Sequence, residues 1–147
     1  MSSRRHAALA FLATALLALS TSGCGSGINL DEPIEGPNWR LVQLGDEPIA
    51  PSSEPQRDAQ IQFDVSSGRV TGSGGCNRIF GSFQRSGNTL SIGQLGATRM
   101  ACTDPVRSVN ETSFFAALQS TARYRLQGPS RLILLDASGR AVATLEH

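Results

Sequence analysis

The chain has 147 residues, 39% hydrophobic and 17% charged, with 13 Lys plus Arg against 12 Asp plus Glu and a net charge of +1. That length holds one domain around one core and leaves no room for a second. The near-zero charge excludes the basic footprint of a nucleic-acid binder, and because every basic residue is Arg, Schiff-base lysine chemistry is excluded too.

Residues 1–23 read as an export signal. Arg4, Arg5 and His6 form a positive start, and the apolar run from Ala7 to Leu19 is too short to cross a hydrocarbon core of about 30 Å. Ala7 and Ala8 argue against twin-arginine export, which prefers large apolar residues there. Thr21-Ser22-Gly23-Cys24 resembles a lipobox, whose cysteine becomes the acylated N-terminus; it departs from the pattern in having Thr21 where Leu is usual, with Leu19 two positions further back. The alternative is a plain secretory signal cut nearby, with Cys24 a free or mispaired thiol. Removal of the signal takes Arg4 and Arg5 with it and leaves eleven Arg against twelve acidic residues, so charge does not select a partner. Residues 24–37, rich in Gly and Pro and without period, read as a flexible tether, and the domain as residues 38–147.

From Trp39 onward the apolar period is two. Trp39 and Leu41, then Ile61, Phe63 and Val65, then Ile79, Gly81 and Phe83, then Leu90 and Ile92 line one face of successive half-buried strands. Leu95 to Ala101 alternates as well, with Thr98, Met100 and Cys102 on one side. Ser66-Ser67-Gly68, Ser86-Gly87-Asn88, Gly128-Pro129-Ser130 and Ala137-Ser138-Gly139 supply the turns of antiparallel hairpins. Gly45 to Arg57, with three prolines, is the longest irregular piece and a candidate contact loop. One segment has a different period: Asp104 as N-cap, Pro105 in the first turn, and Val106, Val109, Phe115, Leu118 and Ala122 at three- and four-residue spacing predict an amphipathic helix packed on the sheet.

Two segments carry a family resemblance: Gly68 to Arg78, with its Gly-Gly-Cys-Asn ending at Asn77, and Thr98-Arg99-Met100-Ala101-Cys102. With the Trp39-x-Leu41 opening, Gly81-Ser82-Phe83, Leu90 to Gly93, Glu111 and Phe114-Phe115, and the closing Leu132 to Asp136, the chain resembles the META domain, also called HslJ-like, over residues 38–147. The resemblance implies a mainly β fold, a small antiparallel β-barrel of lipocalin or streptavidin outline with one helix. It also implies an exported bacterial protein of the cell envelope, and it brings no catalytic residue to carry over.

If Cys24 is acylated, Cys76 and Cys102 remain as an even pair in an oxidising compartment, and a disulfide is the expected state; two buried thiols are the alternative. Their sulfurs are expected to point into the core. Asn77, after the glycine-rich bend, is assigned a structural turn role, as a residue type that tolerates left-handed backbone and bonds nearby backbone groups, ahead of a binding role; Arg78 and Arg99 share that binding-or-structural assignment.

Most site chemistry is excluded. His6 leaves with the signal and His147 is the final residue, so neither Ser nor Cys has a buried histidine base. Metal-ligand spacing is missing, and the Gly72 to Gly75 run continues into neither a phosphate loop nor a dinucleotide register. Asp64, Glu111 and Asp136 read as solvated or capping carboxylates rather than a glycosidase pair. Trp39, Phe80, Phe83, Tyr124 and Phe114-Phe115 read as core. The expectation is a monomeric, non-enzymatic envelope lipoprotein without cofactor or metal. It is held to the membrane, the outer one if there are two, by its N-terminal lipid, and binds a protein or envelope component in stress tolerance. A carrier of a small apolar ligand inside the barrel is the alternative.

Overall fold

A computed structural model describes residues 33–147. Signal segment 1–23, Cys24 and the first part of the expected tether lie outside the described residues. Eight strands form the barrel: β1 (Asn38–Leu44), β3 (Gln60–Asp64), β4 (Arg69–Ser73), β5 (Arg78–Ser86), β6 (Thr89–Ile92), β8 (Arg123–Leu126), β9 (Arg131–Leu135) and β10 (Ala141–Glu146). Two-residue strands β2 (Glu47–Pro48) and β7 (Gly96–Ala97) pair outside this cycle with β1 and β5. Neighbours run in the order β10-β9-β8-β6-β5-β4-β3-β1, and β1 returns to β10 from Arg40 opposite Glu146 to Leu44 opposite Ala143. Every pair is antiparallel, so the sheet closes on itself and leaves no long free edge.

The alternation fills the inside. Trp39, Leu41, Ile61, Phe63, Val70, Ile79, Phe83, Leu90, Tyr124, Leu132, Leu134 and Leu145 are all buried in one cluster. The Phe63 and Phe83 rings meet edge to face at 4.9 Å across β3 and β5. Burying each large side chain contributes about 1.5–3 kcal/mol, which is how a domain of this size reaches stability. Two expected core residues are outside it: Val65 is past the end of β3, and Phe80 alternates onto the outer face of β5, where it lies over Gly96.

The packed chain begins before the expected boundary at residue 38. Ile34 is fully buried, its carbonyl accepts the Trp39 indole N–H at 2.7 Å, and Glu35 pairs with Arg85 at 2.8 Å. An apolar side chain in the core and a bidentate ion pair hold residues 34–37 against the barrel, so the end of the expected tether is part of the domain. The 45–57 loop holds β2 and a 3-10 turn at Pro55–Arg57.

The helix, α1 (Pro105–Ser120), starts as the residues dictate: Asp104 Oδ1 accepts from the N–H groups of Val106 and Arg107 at 3.0 and 3.1 Å, and Pro105 occupies the first turn. Its buried face differs from the expected one. Glu111, Phe114, Ala117 and Leu118 are inside, while Val106 and Val109 are 69% and 64% exposed. At about 100° per residue, burying Phe114 turns Val109 about 140° away, and the ring outweighs the valine. From the β4–β5 bend, which Glu111 and Phe115 touch, α1 reaches to β1, β9 and β10 on the other side and covers one end of the barrel.

Candidate functional site

The hallmark residues converge where β4 turns into β5 beneath the first half of α1. At Gly72 a Cβ would lie 2.8 Å from the Ile61 Cα, and only glycine permits that approach of β3 and β4. Gly75 takes a positive φ of 113°, and the stem of Arg107 packs on its bare α-carbon. This bend aims two backbone N–H groups at the helix: those of Cys76 and Asn77 donate to Glu111 Oε2 at 2.9 and 2.6 Å. The Asn77 amide donates to Glu111 Oε1 at 2.7 Å, and its oxygen accepts from the Met100 N–H at 2.7 Å and the Thr98 hydroxyl at 3.0 Å. A disulfide joins Cys76 to Cys102 with Cα atoms 5.5 Å apart.

Four corrections follow from this geometry. Glu111 is not solvated but buried, at 7% exposure, with its carboxylate held by three N–H groups. Its position three residues before Phe114 on the buried face is the signal that marks it. Asn77 adopts no left-handed backbone, since no non-glycine residue among those described has positive φ; Gly75 makes the bend and Asn77 ties its sides together. The expected strand from Leu95 to Ala101 ends at Ala97, because Asn77 takes the Met100 N–H that a neighbouring strand would otherwise have used. Met100 is 66% exposed and both cysteines are half-buried, so the sulfurs lie at a surface groove and not in the core.

That groove, about 530 Å³, is lined by the disulfide, Met100, Asp104 and the three arginines Arg57, Arg78 and Arg107. Arg57 pairs with Glu54 at 3.2 Å. Arg78 and Arg107 make no ion pair among the described residues, and Arg99 is exposed but outside the groove lining. A second groove, about 740 Å³, runs between the 44–49 loop and the outer side of α1, with Leu44, Glu47, Ile49, Val109, Ala116 and Val142 on its walls.

His147 stacks edge-on against Trp39 at 4.6 Å and its Nε2 lies 2.9 Å from the Pro129 carbonyl. Asp64 and Asp136 each cap a hairpin turn. Hydrogen bonds from the Ser66 and Ser67 hydroxyls hold the Asp64 carboxyl below the ordinary carboxylate value, and the Ser138 hydroxyl followed by the Arg140 N–H does the same for Asp136. Neither shares a partner with Glu111. Among the described residues no group of three or more His, Cys, Asp or Glu could hold a metal ion, and no helix is long and apolar enough to cross a membrane.

The META domain matches residues 32–147. No curated protein matches the sequence. Among solved structures, the NMR structure of a protein from Burkholderia xenovorans is 28% identical with a TM-score of 0.61, covering 77% of this chain and 82% of that one. The crystal structure of a duf4847 family protein from Bacteroides vulgatus is 20% identical with a TM-score of 0.55, covering 82% of this chain and 97% of that one, and shares the fold.

Proposed function

This chain belongs to the META domain family, and we propose that it is a non-enzymatic binding module, exported and lipid-anchored through Cys24, that engages a protein or envelope component in stress tolerance. The contact surface is the groove between the 44–49 loop and α1. The observation that carries this is the exposure of Val109 in the wall of that groove, with exposed Val106 one turn before it, on a helix whose other side is committed to the core. The positive start, short apolar run and small residues before Cys24 support the anchor. A ligand carried inside the barrel is not proposed, because Trp39, Phe63, Phe83, Phe114 and Leu118 occupy those positions.

Photo-cross-linking in the native host tests the surface. A photoreactive residue at Val109 or Glu47 of the full-length protein is expected to yield a discrete adduct, and one at exposed Ser91 on β6 to yield none. Equal labelling from Ser91, or no adduct from Val109 and Glu47, would overturn the proposal.

A further inference from the structure

The 530 Å³ groove at the disulfide shares no lining residue with the loop–helix groove and carries a different chemistry. Three guanidiniums, from Arg57, Arg78 and Arg107, face one carboxylate, that of Asp104. The Asp104 Oδ1 is already bound to two N–H groups as the helix cap, and Arg57 is neutralised by Glu54. Arg78 and Arg107 are left without a counter-charge among the described residues. They come from separate elements, the first residue of β5 and the first turn of α1, and both line this groove. Arg107 is positioned by the bare Gly75, against which its stem rests. The N–H groups of Cys102 and Thr103, both in the lining, meet no protein acceptor among the described residues, and the hydroxyls of Ser73 and Thr103 lie in the same wall. Two acids with buried carboxylates are nearby but outside the lining: Glu111, its oxygens taken by three N–H groups, and Asp58, which accepts from the Ser52 N–H and pairs with Arg40 at 4.0 Å.

We infer that this groove is an oxyanion site for a phosphate group, gripped by Arg78 and Arg107 against the disulfide-tied bend. Guanidinium donors match phosphate oxygens bidentately, and two unpaired ones at the mouth of a groove with further N–H and O–H donors suit a dianion better than a single carboxylate. The disulfide ties Cys102 to Cys76, two residues before Arg78, so the donors of the two segments are fixed relative to each other before the anion arrives.

The test is NMR titration of the ¹⁵N-labelled full chain at constant ionic strength. Inorganic phosphate and glycerophosphoglycerol, the water-soluble headgroup of phosphatidylglycerol, are added in separate arms, with chloride as control. The expected result is saturable shifts of the Ser73–Arg78 and Thr103–Arg107 amides with at least one phosphate compound, and none with chloride. The tighter of the two identifies the source as free phosphate or a lipid headgroup. Arg78→Gln with Arg107→Gln weakens binding tenfold or more while the rest of the amide spectrum stays in place, and Arg125→Gln on β8 leaves binding unchanged. Linear shifts with both phosphate compounds, or saturable shifts that survive in the Arg78→Gln/Arg107→Gln variant, would overturn the assignment.

Discussion

At Asn77 three otherwise separate chain segments depend on one side chain. Asn77→Ala leaves the Met100 N–H, the Thr98 hydroxyl and one Glu111 oxygen without their partner; Thr98 and Met100 are exposed residues that water can reach and Glu111 is buried, so a loss of about 1–3 kcal/mol is expected in urea unfolding. Glu111→Ala is expected to cost a similar amount, and the double variant less than the sum, because both act in one network. The disulfide acts on the unfolded chain instead. Its sequence separation of 26 residues corresponds to about 3.5 kcal/mol of loop-closure entropy, so the Cys76→Ser/Cys102→Ser double variant should lose that much in oxidising buffer and match the reduced wild type. Asp64 and Asp136 set an acid limit. Both carboxyls titrate lower in the folded state than the ordinary 3.8, so their contribution is present above that value and drains away as pH falls through the lower folded values. The urea midpoint should be flat near neutrality and decline below about pH 4, less steeply in Asp64→Asn/Asp136→Asn.

Among the elements, α1 separates what patterning reveals from what it hides. Its start was legible, since Asp104 and Pro105 state the N-terminus locally. Its buried face was not, because Val106 and Val109 fit the same three- and four-residue spacing as Phe114 and Leu118, and only packing against the barrel chooses between them. The strands were legible wherever polar and apolar residues alternate on a half-buried surface, as from Ile61 to Phe63 and Ile79 to Phe83. Alternation failed at Val65, Phe80 and Met100, where a turn, an outward register and a side-chain hydrogen bond decide exposure. For the same reason the hallmark residues could be picked out as a cluster, yet the role of Glu111 could not: its spacing from Phe114 marks it as buried, but a partner 34 residues away leaves no local trace. Phe114→Ala, opening a void in the core, should cost about 3–5 kcal/mol. Val109→Ala should change stability by no more than about 0.5 kcal/mol while abolishing the adduct formed from Glu47.

As a whole the molecule is a closed, filled barrel with one end covered by a helix, and its free chemistry is on the outside: an apolar groove along α1 and a cationic groove at the disulfide. Residues 34–37 are tied to the barrel through the Ile34 carbonyl and the Glu35–Arg85 ion pair. The direct measurement of the central claim is the mass of the mature N-terminal peptide in the membrane fraction of the native host, paired with fractionation of Cys24→Ala. The account predicts a peptide beginning at acylated Cys24 and release of the variant from the membrane; a peptide that retains Arg4-Arg5, or carries Cys24 as a free thiol, would contradict it.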